Sequence, residues 1–288
     1  NKTLIQVYKD VQSRPTELHT EIMKLFNVYD GLIGTDINRK PSNENEAMTS
    51  KESYYYWIRH LYNTDVGDRS AMFIFLNKTC FRGVLREGPN GFNVPYGHYK
   101  STPQFLTLDE FKNISTKLQR VEFKHCDFRD AIARVKSDDF MYLDPPYAPE
   151  TKTSFVGYTK DGFGLEDHET LFKMIKTSGA QFVMSNAGVE LVRNTFCDYK
   201  IHDVKARRAI NSKNPEATTT TCTDVNGVIL RVFIFTNIFN TFFRLAKNTG
   251  IPYFLLCSIA ISYFLSLYQS LTMNIRWTCF TDGYRVLY

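Results

Sequence analysis

Phe140-Met-Tyr-Leu-Asp-Pro-Pro-Tyr147 is an apolar run that stops at an acid, two prolines and an aromatic ring. The four apolar residues between Asp139 and Asp144 have the length and composition of a strand buried on both faces. Pro145 and Pro146 then forbid both continuation of the strand and entry into a helix interior. Asp144 is therefore expected at the carboxyl end of a parallel strand in an α/β fold, the edge where open sheets collect ligands.

These residue types suit attack by an exocyclic amine. The lone pair of such a nitrogen is delocalised into its ring, so acceptors must draw on its N–H bonds before it can act as a nucleophile. Asp144 supplies one acceptor. Pro145 has a carbonyl but no N–H, so the turn can offer backbone oxygen without a competing donor. The Tyr147 ring can stack on a base, and a base buried in a duplex must be swung out to reach such a pocket. Read alone, an ordinary Asp-Pro turn after a strand accounts for the same four residues.

Further stretches narrow the reading. They are Phe75-Leu-Asn-Lys-Thr-Cys-Phe-Arg-Gly83 with Gly91-Phe-Asn-Val-Pro-Tyr-Gly97, then Cys126-Asp-Phe128, Phe155 to Gly164, and Arg207-Arg-Ala-Ile-Asn-Ser-Lys-Asn-Pro215. With the Asp-Pro-Pro-Tyr tetrapeptide they resemble the Dam-type (D12 class) DNA adenine-N6 methyltransferases over residues 1–221. The resemblance implies a Rossmann-like S-adenosylmethionine-dependent methyltransferase fold, α/β in class, with an inserted and mainly helical target-recognition subdomain. It implies S-adenosylmethionine as cofactor and double-stranded DNA as partner, no metal, a monomer, a cytoplasmic location and a place in restriction-modification chemistry.

The resemblance also assigns roles. Asp144, Pro145, Pro146 and Tyr147 would be catalytic. Asp127 and Phe128 would lie against the adenine ring of the methyl donor, with Asp144 nearby; on their own they read as a capping carboxylate and a core ring. Phe182-Val-Met-Ser-Asn186 reads as a second strand ending in a polar pair, beside the target-base pocket. DNA contacts would come from Phe81, Arg82, Arg86, Asn93, Pro95, Tyr96 and Lys100, joined by Arg207 and Arg208. Arg suits guanine, Asn suits adenine, Lys suits phosphate, and a ring such as Phe81 or Tyr96 can wedge or stack. Without the resemblance, Asn93 and Gly97 would simply make a turn, Phe92 would fill a core and the arginines would be solvated.

Both ends depart from the family pattern. The family opens with a Lys-containing segment, a Gly-rich Phe-x-Gly-x-Gly turn and an acidic residue for the ribose, and the first residues here resemble the stretch that follows them. The expectation is a catalytic fold incomplete at its N-terminus, with impaired activity or with DNA binding alone. Residues 1–50 and 118–221 would be catalytic, 51–117 would recognise the target, and 222–288 would form an atypical hydrophobic tail. Residues 248–275 carry no charge, which makes 251–271 a candidate membrane span, although its serines and Gln269 weaken it.

Composition sets wider bounds. The 288 residues are 43% hydrophobic, enough for a sizeable core, and the net charge of +5 is scattered rather than blocked, so charge alone does not argue for nucleic acid. The six cysteines form no C-x-x-C pair, which removes the usual zinc-ribbon and redox patterns. His168 in Leu165-Glu-Asp-His-Glu169 lacks a second His at helical spacing, so that stretch reads as an acidic helix start. Leu4, Ile5, Tyr8 and Val11 give one helical stripe and Leu18, Ile22, Leu25 and Phe26 a second, broken at Arg14-Pro15. Residues 38–53, rich in Asn, Ser, Glu and Lys, read as an exposed loop.

Overall fold

The computed structural model describes residues 2–149 and 163–203, together with the backbone of 206–207 and 218–219. The chain divides into two compact units, with the change at Lys124/His125.

The first unit is helical. Helix α1 (Lys2–Ser13) and helix α2 (Pro15–Gly31) are separated at Arg14, and Pro15 opens α2 where its missing N–H costs nothing. Leu4, Val7 and Val11 are buried on α1, so the stripe runs through Val7, while Tyr8 stacks on Phe123 with ring centroids 5.0 Å apart. On α2, Leu18, Ile22 and Phe26 are buried as the spacing predicts. Helix α3 (Glu44–Ala47), α4 (Lys51–Asn63) and α5 (Arg69–Thr79) follow. Helix α5 is buried along its length from Ser70 to Asn77, as befits a helix apolar on every side. Phe75 is its hub, meeting Phe26, Tyr29 and Tyr54 edge-on at 5.2, 5.5 and 5.8 Å. Each such pair adds about 0.5–1.5 kcal/mol beyond the burial of its area.

Polar ties set the ends of these helices. Asp68 caps α5 by accepting from Ala71 N at 2.9 Å, and Arg14 binds the same carboxylate at 2.6 Å and Asp10 at 2.9 Å. Helix α6 (Leu108–Leu118) starts in a capping box made by Thr107 and Glu110. Gln12 Nε2 donates to Leu118 O and Val121 O at 2.6 and 2.9 Å, which fastens α1 to the end of α6.

Residues 38–53 are not the open loop that their composition suggests. Asn43 caps α3, Ser50 caps α4, and Glu46 gathers donors from Asn38, Ser42 and Asn43. The buried Ser53 hydroxyl joins Asn38 N, Thr49, Ser50 and Asp36 O. Polar side chains that satisfy one another have the composition of solvated ones, so the pattern of residues does not tell the two apart.

Between α5 and α6 lies the segment with most of the expected DNA contacts. A short 3-10 turn (Phe81–Gly83) leads to the antiparallel pair β1 (Glu87–Gly88) and β2 (Gly91–Phe92). Gly97 donates to Thr79 O at 2.9 Å, and a Cβ there would lie 2.7 and 2.8 Å from Cys80 O and Thr79 O, so only glycine fits this approach.

The second unit contains a strand–helix–strand element. Strand β3 (Phe140–Leu143) and strand β4 (Gln181–Met184) pair in parallel, with Phe140 opposite Gln181 and Leu143 opposite Met184. A parallel pair needs a crossover, and helix α8 (Leu165–Thr177) lies between them in the chain. Helix α7 (Phe128–Ile132) precedes β3 and helix α9 (Glu190–Thr195) follows β4. Met141 and Leu143 of β3, Leu171, Phe172 and Ile175 of α8, Phe182 and Met184 of β4 and Phe196 share one core. Burying each of these large side chains is worth about 1.5–3 kcal/mol. Strands β5 (Ala206–Arg207) and β6 (Thr218–Thr219) form a separate antiparallel pair. The tail at 222–288, including 251–271, lies outside the described residues. Among the described residues no helix is long and apolar enough to cross a membrane.

Candidate functional site

Because β3 and β4 run in parallel, their carboxyl ends lie side by side. Asp144 leaves β3 at that edge and Ser185-Asn186 leaves β4 beside it. Ser185 N donates to Leu143 O at 2.9 Å, carrying the ladder one residue beyond β4. The turn Asp144-Pro-Pro-Tyr147 therefore starts from a fixed strand end, as its sequence implies.

Asp144 keeps partial exposure, yet protein atoms crowd its carboxyl, and burial pushes its pKa up to about 6. The Tyr147 hydroxyl donates to the carboxylate and works in the other direction. A carboxylate has about four lone-pair positions, so Asp144 can hold the Tyr147 hydroxyl and still accept from an amine. Pro145 is buried, while Pro146 and Tyr147 are half-buried. The next residue, Ala148, donates its N–H to Asn186 Oδ1 at 2.8 Å. Asn186 is fully buried, accepts also from Ala187 N at 2.8 Å, and has no hydrogen-bond partner for Nδ2 among the described residues.

Asp127 is the N-cap of α7, accepting from Arg129 N at 2.8 Å, and it pairs with the Arg129 guanidinium at 3.2 Å. Arg129 also reaches Asp167 near the start of α8. Phe128 is buried against Phe163, with Arg129 over its ring at 4.4 Å. Local structure thus accounts for this pair without any cofactor. His168 is also a core side chain, wedged edge-on to Phe163 at 4.7 Å and tilted against Phe172, and burial depresses its pKa to about 4. Among the described residues no group of three or more His, Cys, Asp and Glu side chains is placed to hold a metal ion.

Of the expected DNA-contacting residues, Phe81, Arg82, Arg86, Asn93, Pro95, Tyr96 and Lys100 sit on the first unit and separate into two kinds. Phe81 is 46% exposed, with the Arg82 guanidinium over its ring at 5.1 Å, and Arg82 itself sits at φ 54. Arg86 grips Asn93, with Nε 2.6 Å from Oδ1 and a terminal nitrogen 3.0 Å from the backbone oxygen. Pro95 is exposed and its carbonyl accepts from Phe81 N at 2.8 Å; Lys100 is exposed. Tyr96 differs from expectation. It is only 7% exposed, its hydroxyl lies 2.6 Å from that of Tyr29, and Cys80 pairs with it in an isolated bridge. A ring held in this way is core, whereas the Phe81 ring is exposed. Phe92 is buried against Tyr62. Arg207 lies in β5, described here by its backbone alone, and Arg208 lies outside the described residues.

Comparison with known proteins matches residues 1–210 to the D12 class N6 adenine-specific DNA methyltransferase family. The chain belongs to that family. It is 32% identical over 225 residues to the type II methyltransferase M.MjaIII of Methanocaldococcus jannaschii, covering 73% of this chain and 78% of that protein. It is 34% identical over 209 residues to the DNA adenine methylase of Haemophilus influenzae, covering 69% and 72%. A DNA N-6-adenine-methyltransferase of Escherichia phage P1 is 30% identical over 240 residues, which are 80% of this chain and 29% of the phage protein. The sequence marks the strand-end carboxylate, and the resemblance sets Asn186 beside the target-base pocket without giving its hydrogen-bond partners. An Asn following an apolar run signals a strand end, but which backbone N–H groups it receives depends on the neighbouring strand.

Proposed function

We propose that the Asp144–Tyr147 turn performs the family reaction, moving a methyl group to the N6 amine of adenine in duplex DNA at a specific site. The observation that carries this is the placement of an acid at the joined carboxyl ends of β3 and β4, with a tyrosine hydroxyl on its carboxylate. Asp144 accepts one N–H of the amine and the Pro145 carbonyl the other, which frees the nitrogen lone pair. The Tyr147 ring stacks on the flipped base. Once the nitrogen carries its methyl group, Asp144 takes the surplus amine proton and returns it to water. A carboxyl group titrating nearer neutrality than usual suits that exchange.

A carboxylate beside an aromatic ring fits a sulfonium donor, because both favour positive charge. When bound, S-adenosylmethionine would supply an electrophilic methyl group, the broken carbon–sulfur bond leaving its electron pair on a neutral thioether, S-adenosylhomocysteine. Asp144 would face the sulfonium end, and Asp127 and Phe128 would border its adenine, with the Asp127 carboxylate exchanging part of its hold on Arg129. The wider fold is read as Rossmann-like, with residues 51–117 serving recognition inside the helical unit. Phe81 and Arg82 would approach the bases, the Arg86–Asn93 pair would brace the loop, and Lys100 would meet phosphate. Arg207 and Arg208 would add phosphate contacts.

The test is isotopic. Duplex DNA incubated with the protein and deuteromethyl-labelled S-adenosylmethionine is digested to nucleosides and weighed by mass spectrometry. Label in N6-methyldeoxyadenosine is expected; label confined to cytosine or RNA, or DNA binding without any label, would refute the assignment.

A further inference from the structure

The turn that carries Asp144 is held at both ends by the same neighbouring strand end. Before it, Leu143 O accepts from Ser185 N at 2.9 Å; after it, Ala148 N donates to Asn186 Oδ1 at 2.8 Å. Asn186 is fully buried, and Ala187 N adds a second donor to the same oxygen. Two converging N–H groups fix which end of the carboxamide is oxygen. The NH2 end thereby becomes a buried donor with no partner among the described residues. Leaving a buried donor unused is unfavourable, and a clamp needs only the oxygen. The additional donor is left for an acceptor beyond the described residues. At this edge an incoming base with acceptor ring nitrogens meets that need.

We propose that Asn186 is a positioning residue for methyl transfer: its oxygen locks the far end of the Asp144–Tyr147 turn, and its NH2 group awaits an acceptor atom on the target base. This rests on reading that turn as the amine-binding site. A displaced turn aims Asp144 and the Pro145 carbonyl wrongly, and misplacement by about 1 Å costs on the order of 100-fold in rate.

Two variants and two readouts decide it. Asn186→Ala removes clamp and donor, while Asn186→Asp keeps an oxygen for both N–H groups, removes the donor and adds a negative charge. In Asn186→Ala, the titration of the Asp144 carboxyl, followed by carbon-13 NMR, is expected to move down toward the ordinary carboxylate range as the loosened turn admits water. Its kcat for methyl transfer should fall about 100-fold while KM for DNA changes by less than about 3-fold. Asn186→Asp, assayed at pH 8.5, should keep KM for DNA within about 3-fold and lose at least about 10-fold in kcat. An unmoved Asp144 titration in Asn186→Ala overturns the clamp, and wild-type transfer by Asn186→Asp overturns the donor role. If the unaltered protein transferred no methyl group to DNA, the reading of the turn itself would fail, and the Asp144 titration would still decide whether Asn186 holds it.

Discussion

The Tyr147 hydroxyl donates a hydrogen bond to the Asp144 carboxylate three residues earlier, and this bond opposes the burial that lifts the acid's pKa to about 6. Hydrogen bonding to the charged form favours that form. Tyr147→Phe keeps the stacking ring and deletes the bond, so the Asp144 pKa should rise above about 6. The acid limb of the pH dependence of kcat/KM should then shift to higher pH. A limb that stays in place, or moves toward acid, contradicts the pairing.

Two buried groups give the protein opposing responses to acid. His168 titrates at about 4 when folded against an ordinary 6.5, so its neutral form is the native one, and its contribution is complete above pH 6.5 and lost as pH falls toward 4. Asp144, raised from 3.8 to about 6, does the reverse, since its protonated form is favoured on folding and stability is gained as pH falls through that window. Urea unfolding of Asp144→Asn should therefore lose stability more steeply between pH 6.5 and pH 4 than the unaltered chain does. Equal slopes would mean that Asp144 is not buried as described.

The loop after α5 should divide its labour between reading bases and holding phosphate. Arg82→Ala is expected to narrow the gap between cognate and random DNA. Lys100→Ala should weaken both alike and reduce the slope of log K against log salt by about one. Arg86→Ala should act through its lost grip on Asn93 and loosen the loop, reducing affinity without exchanging one preferred base for another. Filter binding across a salt series separates these outcomes, and equal losses on cognate and random DNA for Arg82→Ala would remove its reading role.

Gly97→Ala places a methyl group against two backbone carbonyls, at 2.7 and 2.8 Å, and those atoms cannot rotate away. Overpacking of this kind costs about 1–3 kcal/mol, visible as a lower melting temperature in calorimetry. An unchanged melting temperature would show that the Thr79–Cys80 segment yields more easily than its hydrogen bond to Gly97 implies.

What was legible in the sequence follows from what is local. The strand at Phe140–Leu143, the stop at Asp144 and the acidic start of α8 are written in short runs, and the structure has each of them. The stripe on α2 emerged because burial of Leu18, Ile22 and Phe26 repeats at helical spacing. Three features depended on distant partners and stayed hidden. Tyr96 reads as an available ring in its Gly-rich setting, but Tyr29, far away in sequence, takes its hydroxyl. Residues 38–53 read as solvated because their polar groups find one another rather than water. Asn186 reads as a polar strand end near the pocket, and its hold on Ala148 N shows only when β4 is set beside β3. Local pattern locates elements, and the pairing of elements assigns work to polar side chains.

The central claim is that one carboxylate prepares the amine for transfer, and single-turnover methyl transfer by Asp144→Asn tests it most directly. Asparagine fills nearly the same volume but offers one neutral carbonyl oxygen in place of the carboxylate, so DNA affinity should stay within about 3-fold while the transfer rate falls by about 100-fold or more. Transfer at the rate of the unaltered protein, with N6-methyladenine still the product, would contradict the account.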